Sequence, residues 1–256
     1  MAMACFFSLA PPSPPSPLLY PTRRTLAPRR PVAEAHGSTR TPVPDPKALT
    51  EIKRSRIIAC LRAPDGLLAM EAARAAIRGG ISVLEVVMST PGALEVIRGL
   101  IQEHPSSTIG VGTVLNVADA RKAVNAGAKF LMSPCTIMDV LLSVQGGDVL
   151  YIPGVMTPTE VLSAYNAGAR IVKVYPVSAL GGDKYISALS KPFPHIPMVV
   201  SQGITIDSIR RYIEGGASAV VLSDAIFEKE AMRERNFETI SRLAQLATLH
   251  VSGVEK

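Results

Sequence analysis

The sequence predicts a single (β/α)8 TIM barrel, and three observations lead to this fold class. Four segments share one pattern, in which the end of a helix is followed by Gly-Gly or Gly-Ala and then by a short apolar strand. Their glycines, Gly79, Gly127, Gly168 and Gly215, lie 48, 41 and 47 residues apart. Because a βα unit takes roughly 20–25 residues, each interval holds two units, which gives eight strands. The strands are continuous apolar runs, typical of a parallel sheet covered by helices.

The composition agrees with such a barrel. Apolar residues make up 47% of the 256 residues, aromatic residues only 5%, and tryptophan is absent, so we expect an aliphatic core. We also expect the repeated glycines to end their helices as left-handed caps. An open, doubly wound sheet is the alternative fold, but GVGTVLN lacks the third glycine of the dinucleotide-binding fingerprint.

The strands and helices can be assigned in order from this pattern. We expect strands at 57–62, 82–88, 108–113, 130–133, 149–152, 171–175, 198–201 and 219–222. We expect helices at 66–78, 91–104, 117–126, 136–144, 157–167, 182–189, 206–214 and about 230–248. Eight such units in about 200 residues predict a closed barrel.

Residues 1–46 are predicted to lie outside the barrel domain, which we place at 47–256. Residues 1–33 contain no Asp or Glu, four Arg, three Ser and eight Pro, and an acid-poor, Arg-bearing start is typical of a transit peptide. The prolines exclude a continuous amphipathic helix, which favours a chloroplast over a mitochondrial signal. A disordered tail is an alternative, whereas the apolar stretch CFFSLA is too short for a secretory signal. The expected location is therefore the plastid stroma.

Charge and cysteine content exclude several function classes. The net charge of +6 falls to +3 without residues 1–46, which hold five Arg and two acidic residues, and the remainder has no basic run of the nucleic-acid-binding type. No apolar run is long enough to span a bilayer. Since no cysteine or histidine spacing fits a metal site, we expect no metal and no cofactor. Cys60 and Cys135 are expected to be buried thiols in a reducing compartment.

Two charged residues interrupt apolar strands of the predicted barrel. In Arg-Ile-Val-Lys-Val-Tyr-Pro, period two puts Ile171 and Lys173 on one face, and Val172 and Val174 on the other. Because the valines suit the helix layer, Lys173 should point into the barrel, where a desolvated amine can form an imine. Glu85, in Val-Leu-Glu-Val-Val, should also point inward as a general acid/base. The alternative is a buried Lys–Glu pair with no chemistry.

Two further motifs occur at strand ends, where the active sites of these barrels form. Thr113 ends Gly-Val-Gly-Thr, and we expect it on the inner face with Ile109 and Val111. A threonine that caps the following turn is equally consistent with the local pattern. Pro134, in Ser-Pro-Cys-Thr, ends the fourth strand and either shapes a pocket wall or simply stops the strand.

Five motifs together resemble a known family. LEVVMST, GVGTVLN, FLMSP, IPGV and VKVYP are similar to the strand ends of the 2-keto-3-deoxy-6-phosphogluconate (KDPG) / 4-hydroxy-2-oxoglutarate (KHG) aldolases, with a plastid-type leader. The resemblance implies a homotrimeric, metal-free (β/α)8 lyase of carbohydrate metabolism (Entner–Doudoroff). Such an enzyme cleaves a keto acid to pyruvate and an aldehyde. It implies that Lys173 is the Schiff-base lysine and Glu85 the proton shuttle. Thr113 would bind the pyruvate-end carboxylate, and Pro134 and Tyr175 would form pocket walls.

The residues that would hold the substrate depart from the family pattern. Ser89 stands where the family usually has Arg, Ser201-Gln202-Gly203 where it has Thr-Gly-Gly, and Ser223-Asp224-Ala225 where it has Gly-Gly-Ser. Ser89, Ser201 and Gly203 remain candidate substrate contacts. A serine replaces a bidentate arginine only weakly, and a carboxylate repels a phosphate. Two alternatives follow: an aldolase for an unphosphorylated keto acid, or a barrel with weak or lost catalysis that serves as a binding or assembly component.

Overall fold

Parallel strands form one curled sheet in the computed structural model, which describes residues 45–252. The sheet order is β5-β4-β3-β2-β1-β9-β8-β7-β6, so strands that follow each other in the chain are neighbours except β5 and β6 at the two ends, and β1 also pairs with β9. The predicted (β/α)8 barrel is therefore confirmed, whereas the transit-peptide prediction falls, apart from its last two residues, outside the described part. The strands are β1 Ile57–Leu61, β2 Val83–Val87, β3 Thr108–Gly112, β4 Phe130–Met132, β5 Leu150–Ile152, β6 Gly154–Val155, β7 Val172–Val174, β8 Met198–Ser201 and β9 Ala219–Leu222.

Helices alternate with the strands and cover the outside of the sheet. No helix in the described part of the chain combines the length and the apolar character that crossing a bilayer would require. Short 3-10 turns follow β7 at Val177–Leu180 and β8 at Ile206–Ser208. The α-helices are α1 Lys47–Ser55, α2 Gly66–Arg78, α3 Ala93–Glu103, α4 Val117–Asn125, α5 Met138–Val144, α6 Pro158–Asn166, α7 Gly182–Ser190, α8 Ile209–Glu214, α9 Lys229–Arg233 and α10 Phe237–Ser252.

The fifth strand of the barrel is interrupted at Pro153. Its first part, β5, pairs with β4, and its second part, β6, pairs with β7. The carbonyl oxygen of Pro153 still accepts a hydrogen bond of 2.8 Å from the backbone N–H of Lys173. The barrel therefore closes through one broken strand. The sequence prediction ended this strand at 152 and missed β6, because a proline lacks the N–H that a strand ladder needs.

The inward and outward faces of the strands build two separate cores. Outward side chains such as Val172 and Val174 pack with the helices, and inward ones such as Ile171 pack with each other inside the barrel. This alternation confirms the two faces predicted around Lys173. Helix α1, which the strand pattern did not predict, joins the inner core through Ala48, Leu49 and Ile52.

The faces predicted for β3 are wrong. Ile109 and Val111 belong to the outer core with the helices, so Gly110 and Gly112 face the barrel interior. A methyl group added at Gly110 would lie 2.5 Å from the ring of Phe130. The interior at this level is thus filled by large side chains from neighbouring strands. The inward face of β3 therefore consists of two glycines. An alternation of apolar and polar side chains cannot reveal such a face.

Two other sequence predictions need correction. Gly127 and Gly168 are left-handed as predicted, with φ of 94° and 108°, but in the two Gly-Gly pairs the left-handed residue is the second glycine, Gly80 with φ of 99° and Gly216 with φ of 107°. The first of each pair has helical φ because it still belongs to the last turn. The helix predicted at about 230–248 is two helices, α9 and α10, which are separated by Arg235 in a left-handed conformation with φ of 55°.

Candidate active site

Lys173 lies in the middle of β7 and points into the barrel. Its residue is only 7% exposed. In the sheet register it stands between Gly154 of β6, which has no side chain, and Val199 of β8. The ammonium nitrogen lies 5.3 Å from the centroid of the Tyr175 ring, whose π face attracts a cation. The lysine is therefore largely removed from solvent inside the barrel.

Glu85 lies in the middle of β2 and is completely buried. Neither of its carboxylate oxygens has a hydrogen-bond partner in the described part of the chain, so Lys173 does not bond to it directly. An isolated buried carboxylate is costly. In a structural ion pair the charged groups of Lys173 and Glu85 would be in direct contact, and here they are not. The arrangement instead leaves a carboxylate free to bond to a bound molecule.

Gly112 creates the space that Glu85 occupies. A methyl group at this position would lie 2.8 Å from Cγ of Glu85 and still closer to Cδ and Oε1. Real Cβ atoms do not approach other atoms so closely, and only glycine fits beside this carboxylate. Gly112 therefore serves to seat the carboxylate of Glu85.

The remaining predicted site residues lie at the C-terminal ends of their strands. Thr113 follows β3 and has φ of 58°, a conformation that is strained for a β-branched side chain by about 1–3 kcal/mol. Strand alternation therefore does not fix its direction. Pro134 follows β4, is half-buried, and its backbone packs against Gly154. Tyr175, directly after β7, is also half-buried and lies beside Lys173.

The loop after β8 carries two left-handed residues in succession. Ser201 is the last residue of β8 and is only 6% exposed, whereas Gln202 and Gly203 are exposed with φ of 86° and 74°. Gln202 thus adopts a conformation that suits glycine, the residue the family pattern has there. Its side-chain oxygen accepts a hydrogen bond from the hydroxyl of Ser178, which follows β7. Ser89, two residues after β2, is exposed.

A cavity of about 600 Å³ opens at the C-terminal ends of β1 and β9. Sequence reasoning found only one of its charged residues, Asp224; the other three are cationic. Arg62 continues the inward phase of Ile58 and Cys60, so the period-two rule that identified Lys173 could also have found it. Lys229 and Arg233 belong to α9, and no sequence signal ties them to the site. The cavity is lined by Arg62, Pro64, Leu68, Ser223, Asp224, Phe227, Lys229, Met232 and Arg233.

One of the two body cysteines contradicts the prediction that both are buried. Cys135 is exposed, because it lies in the turn after β4, so its expected burial is wrong. Cys60 is half-buried, packs against the inner core and is the register partner of Glu85. Burial, and next the negative charge of Glu85, raise the pKa of the Cys60 thiol well above its usual value, and the positive charge of Lys173 opposes this. The thiol is therefore protonated at neutral pH.

The charged groups in the barrel suit carbonyl chemistry more than metal binding. Among residues 45–252, no group of His, Cys, Asp and Glu side chains is arranged to hold a metal ion. A buried amine on β7 and an unpartnered carboxylate on β2 both face the same enclosed interior. The amine is a nucleophile when neutral, and the carboxylate can accept or donate a proton.

Known proteins resemble this chain in sequence and in structure. A model of the family described as KDPG and KHG aldolase matches residues 49–243. The chain is 31% identical over 208 residues to the 2-dehydro-3-deoxy-phosphogluconate aldolase of Treponema pallidum. The matched region covers 81% of this chain and 97% of that protein. It is 30% identical over 179 residues to the KHG/KDPG aldolase of Escherichia coli, with 70% and 84% covered.

A solved structure gives the same result. The KDPG aldolase of Legionella pneumophila, with pyruvate captured at low pH as a covalent carbinolamine intermediate, matches with a TM-score of 0.73 and 29% identity. The match covers 80% of this chain and 98% of that one. Family model, relatives and structure agree over almost the whole described barrel. The chain therefore belongs to the KDPG and KHG aldolase family, which is a family of lyases.

Proposed function

We propose that the chain is a class I aldolase that cleaves a 2-keto-4-hydroxy acid to pyruvate and an aldehyde through a Schiff base on Lys173. The observation that carries this proposal is a buried lysine that shares the barrel interior with a carboxylate that has no hydrogen-bond partner among the described residues. A carbinolamine is the adduct of an amine and a carbonyl group, so the Legionella relative supports the first step. KDPG and KHG, the substrates that name the family, are the proposed substrates.

The reaction begins with attack of the neutral Lys173 amine on the C2 carbonyl carbon of the substrate. Glu85 donates a proton to the hydroxyl group of the resulting carbinolamine, which leaves as water and gives an iminium ion. The C3–C4 bond then breaks, and its electron pair forms the enamine while Glu85 accepts the C4 hydroxyl proton, directly or through a water. The aldehyde departs. Protonation of C3 and hydrolysis of the imine then release pyruvate and the free amine.

Reduction with borohydride in the presence of pyruvate tests this proposal. We expect a reduced pyruvyl group on the peptide that contains Lys173, measured by mass spectrometry. Lys184 and Lys191 lie shortly after it in the chain and serve as internal controls. Labelling of either of these, or of no lysine, would contradict the assignment. The absence of any adduct would favour a barrel that binds or assembles without catalysis.

The cationic cavity supports a substrate with an anionic far end. Arg62, Lys229 and Arg233 line it together with Asp224, and a phosphate there would meet more positive than negative charge. Part of this charge is offset, because Arg233 also forms salt bridges with Glu230 and Glu234. Asp224 is the residue that opposes phosphate binding. The three cationic residues therefore offset part of the repulsion between Asp224 and a phosphate. The preference for a phosphorylated substrate should fall less than Asp224 alone implies.

Replacement of Asp224 by Gly is expected to lower the KM for KDPG by about three- to tenfold, because an exposed carboxylate near a phosphate is only partly screened. The KM for KHG, which carries no phosphate, should stay nearly unchanged and provides the control. The difference between the two substrates should also shrink as salt is added. An unchanged KM for KDPG would mean that Asp224 points away from the bound phosphate.

We also propose import into plastids and assembly as a homotrimer. The acid-poor, Arg-bearing residues 1–46 support plastid import, and a fluorescent reporter fused to them should accumulate in plastids. Cytosolic or mitochondrial fluorescence would contradict it.

The family resemblance supports a trimer, as do exposed hydrophobic side chains on α5, on α6 and just before α6, at Met138, Leu142, Met156 and Leu162. Light scattering should give three times the chain mass, and a monomer mass would exclude it.

A further inference from the structure

Cys60 lies beside Glu85 on the adjoining strand β1. It is the Cα register partner of Glu85 on β1, and both residues face the barrel interior. On the other side, β3 presents Gly110 in register and Gly112 beyond it, neither of which has a side chain. Of the two strands that flank β2, only β1 therefore presents a polar side chain, a thiol, in register with Glu85.

Glu85 lacks the hydrogen bonds that a buried carboxylate needs. Both of its oxygens are fully buried and have no partner among the described residues. A carboxylate accepts hydrogen bonds, and a protonated thiol is a weak donor whose hydrogen rotates about the Cβ–Sγ bond. The raised pKa of the Cys60 thiol keeps its proton in place at neutral pH. A protonated thiol therefore stands in register with a carboxylate that has no hydrogen-bond partner among the described residues.

The other charged groups near this pair are few. Cys60 is influenced by Glu85, by Lys173 across the interior, and by Arg62 at the end of its own strand. The neighbouring inward residues of β9, Ala219 and Val221, are apolar, and so are the buried residues of α1 below. Apart from Glu85, the charged residues that act on the thiol are therefore one lysine and one arginine.

We infer that Cys60 is a positioning residue for Glu85 and that its thiol donates a hydrogen bond to the carboxylate during the proposed aldol reaction. The inference rests on the proposed function, in which Glu85 is the proton carrier. The bond holds the carboxylate in one orientation and favours its charged form. Glu85 must be charged to accept the C4 hydroxyl proton, so the thiol extends activity toward lower pH.

Cys60→Ala and Cys60→Ser form a matched pair, because the two side chains are similar in size and only serine can donate a hydrogen bond. In Cys60→Ala, the acid limb of the kcat profile should move to higher pH by about one unit, so that kcat on that limb falls about tenfold. Cys60→Ser should restore the wild-type limb. Two profiles identical to wild type would contradict the inference, and so would equal losses in both variants without a shift, which indicate packing alone.

Alkylation provides a readout that does not depend on catalysis. The rate of reaction of the Cys60 peptide with iodoacetamide is followed against pH by mass spectrometry in wild type and in Glu85→Gln, with the exposed Cys135 as internal control. Removing the negative charge should shift the Cys60 midpoint to lower pH and leave that of Cys135 unchanged. Equal Cys60 midpoints, or a Cys60 that reacts in neither protein, would overturn the inference. If borohydride trapping fails while the midpoint shifts, the proposed function fails and the contact stands.

Discussion

Replacement of Glu85 by Gln is expected to lower kcat by about a hundredfold or more while the barrel stays folded. The amide has the same shape but neither accepts nor donates the proton that the proposed dehydration and cleavage steps transfer. Its burial is also less costly than that of a carboxylate without hydrogen-bond partners. Thermal unfolding should therefore occur at the same temperature as in wild type or a higher one, and steady-state kinetics with KDPG and KHG should show the loss in kcat.

Glu103→Gln is a suitable control for this variant. Glu103 lies at the end of α3 on the outer surface and forms a salt bridge with Arg74. The control also removes one glutamate charge, but far from the barrel interior, so kcat should not change. If Glu85→Gln unfolds readily while its activity per folded molecule equals that of wild type, Glu85 has a structural role. The proposed role of Glu85 as proton carrier would then be wrong.

The sequence predicts the barrel and its two charged interior residues well because both follow from simple periods. Eight apolar runs at intervals of a βα unit leave few other folds, and a charge in such a run is conspicuous. The inward direction of Lys173 follows from Val172 and Val174, which pack outward as expected. These features depend on residues close in sequence, which is why one chain suffices to find them.

The parts that the sequence does not predict depend on contacts between distant segments. The inward face of β3 consists of glycines because Phe130 and Glu85, from two other strands, fill that space. The cationic cavity combines the end of β1 with the end of β9 and α9. Cys60 looks like an ordinary core residue until the register of β1 and β2 places it beside Glu85. Chain separation hides each of these neighbours.

Replacement of Gly112 by Ala is expected to reduce kcat nearly as much as loss of the carboxylate itself, by about a hundredfold. The new methyl group would occupy the place of the Glu85 carboxylate, whose Cδ and Oε1 lie closer to it than its Cγ at 2.8 Å. The end of a glutamate side chain can rotate away, so the fold should tolerate the change.

Gly110→Ala is the matched comparison, because its methyl would meet the Phe130 ring at 2.5 Å instead. A buried ring cannot move aside as easily, and we expect Gly110→Ala to lower stability by about 1–3 kcal/mol.

Kinetics, urea unfolding and the double variant with Glu85→Gln separate these effects. If Gly112→Ala acts by displacing Glu85, it should add little to the loss already caused by Glu85→Gln. Fully additive losses, or a Gly112→Ala protein with normal kcat, would show that this glycine does not seat the carboxylate.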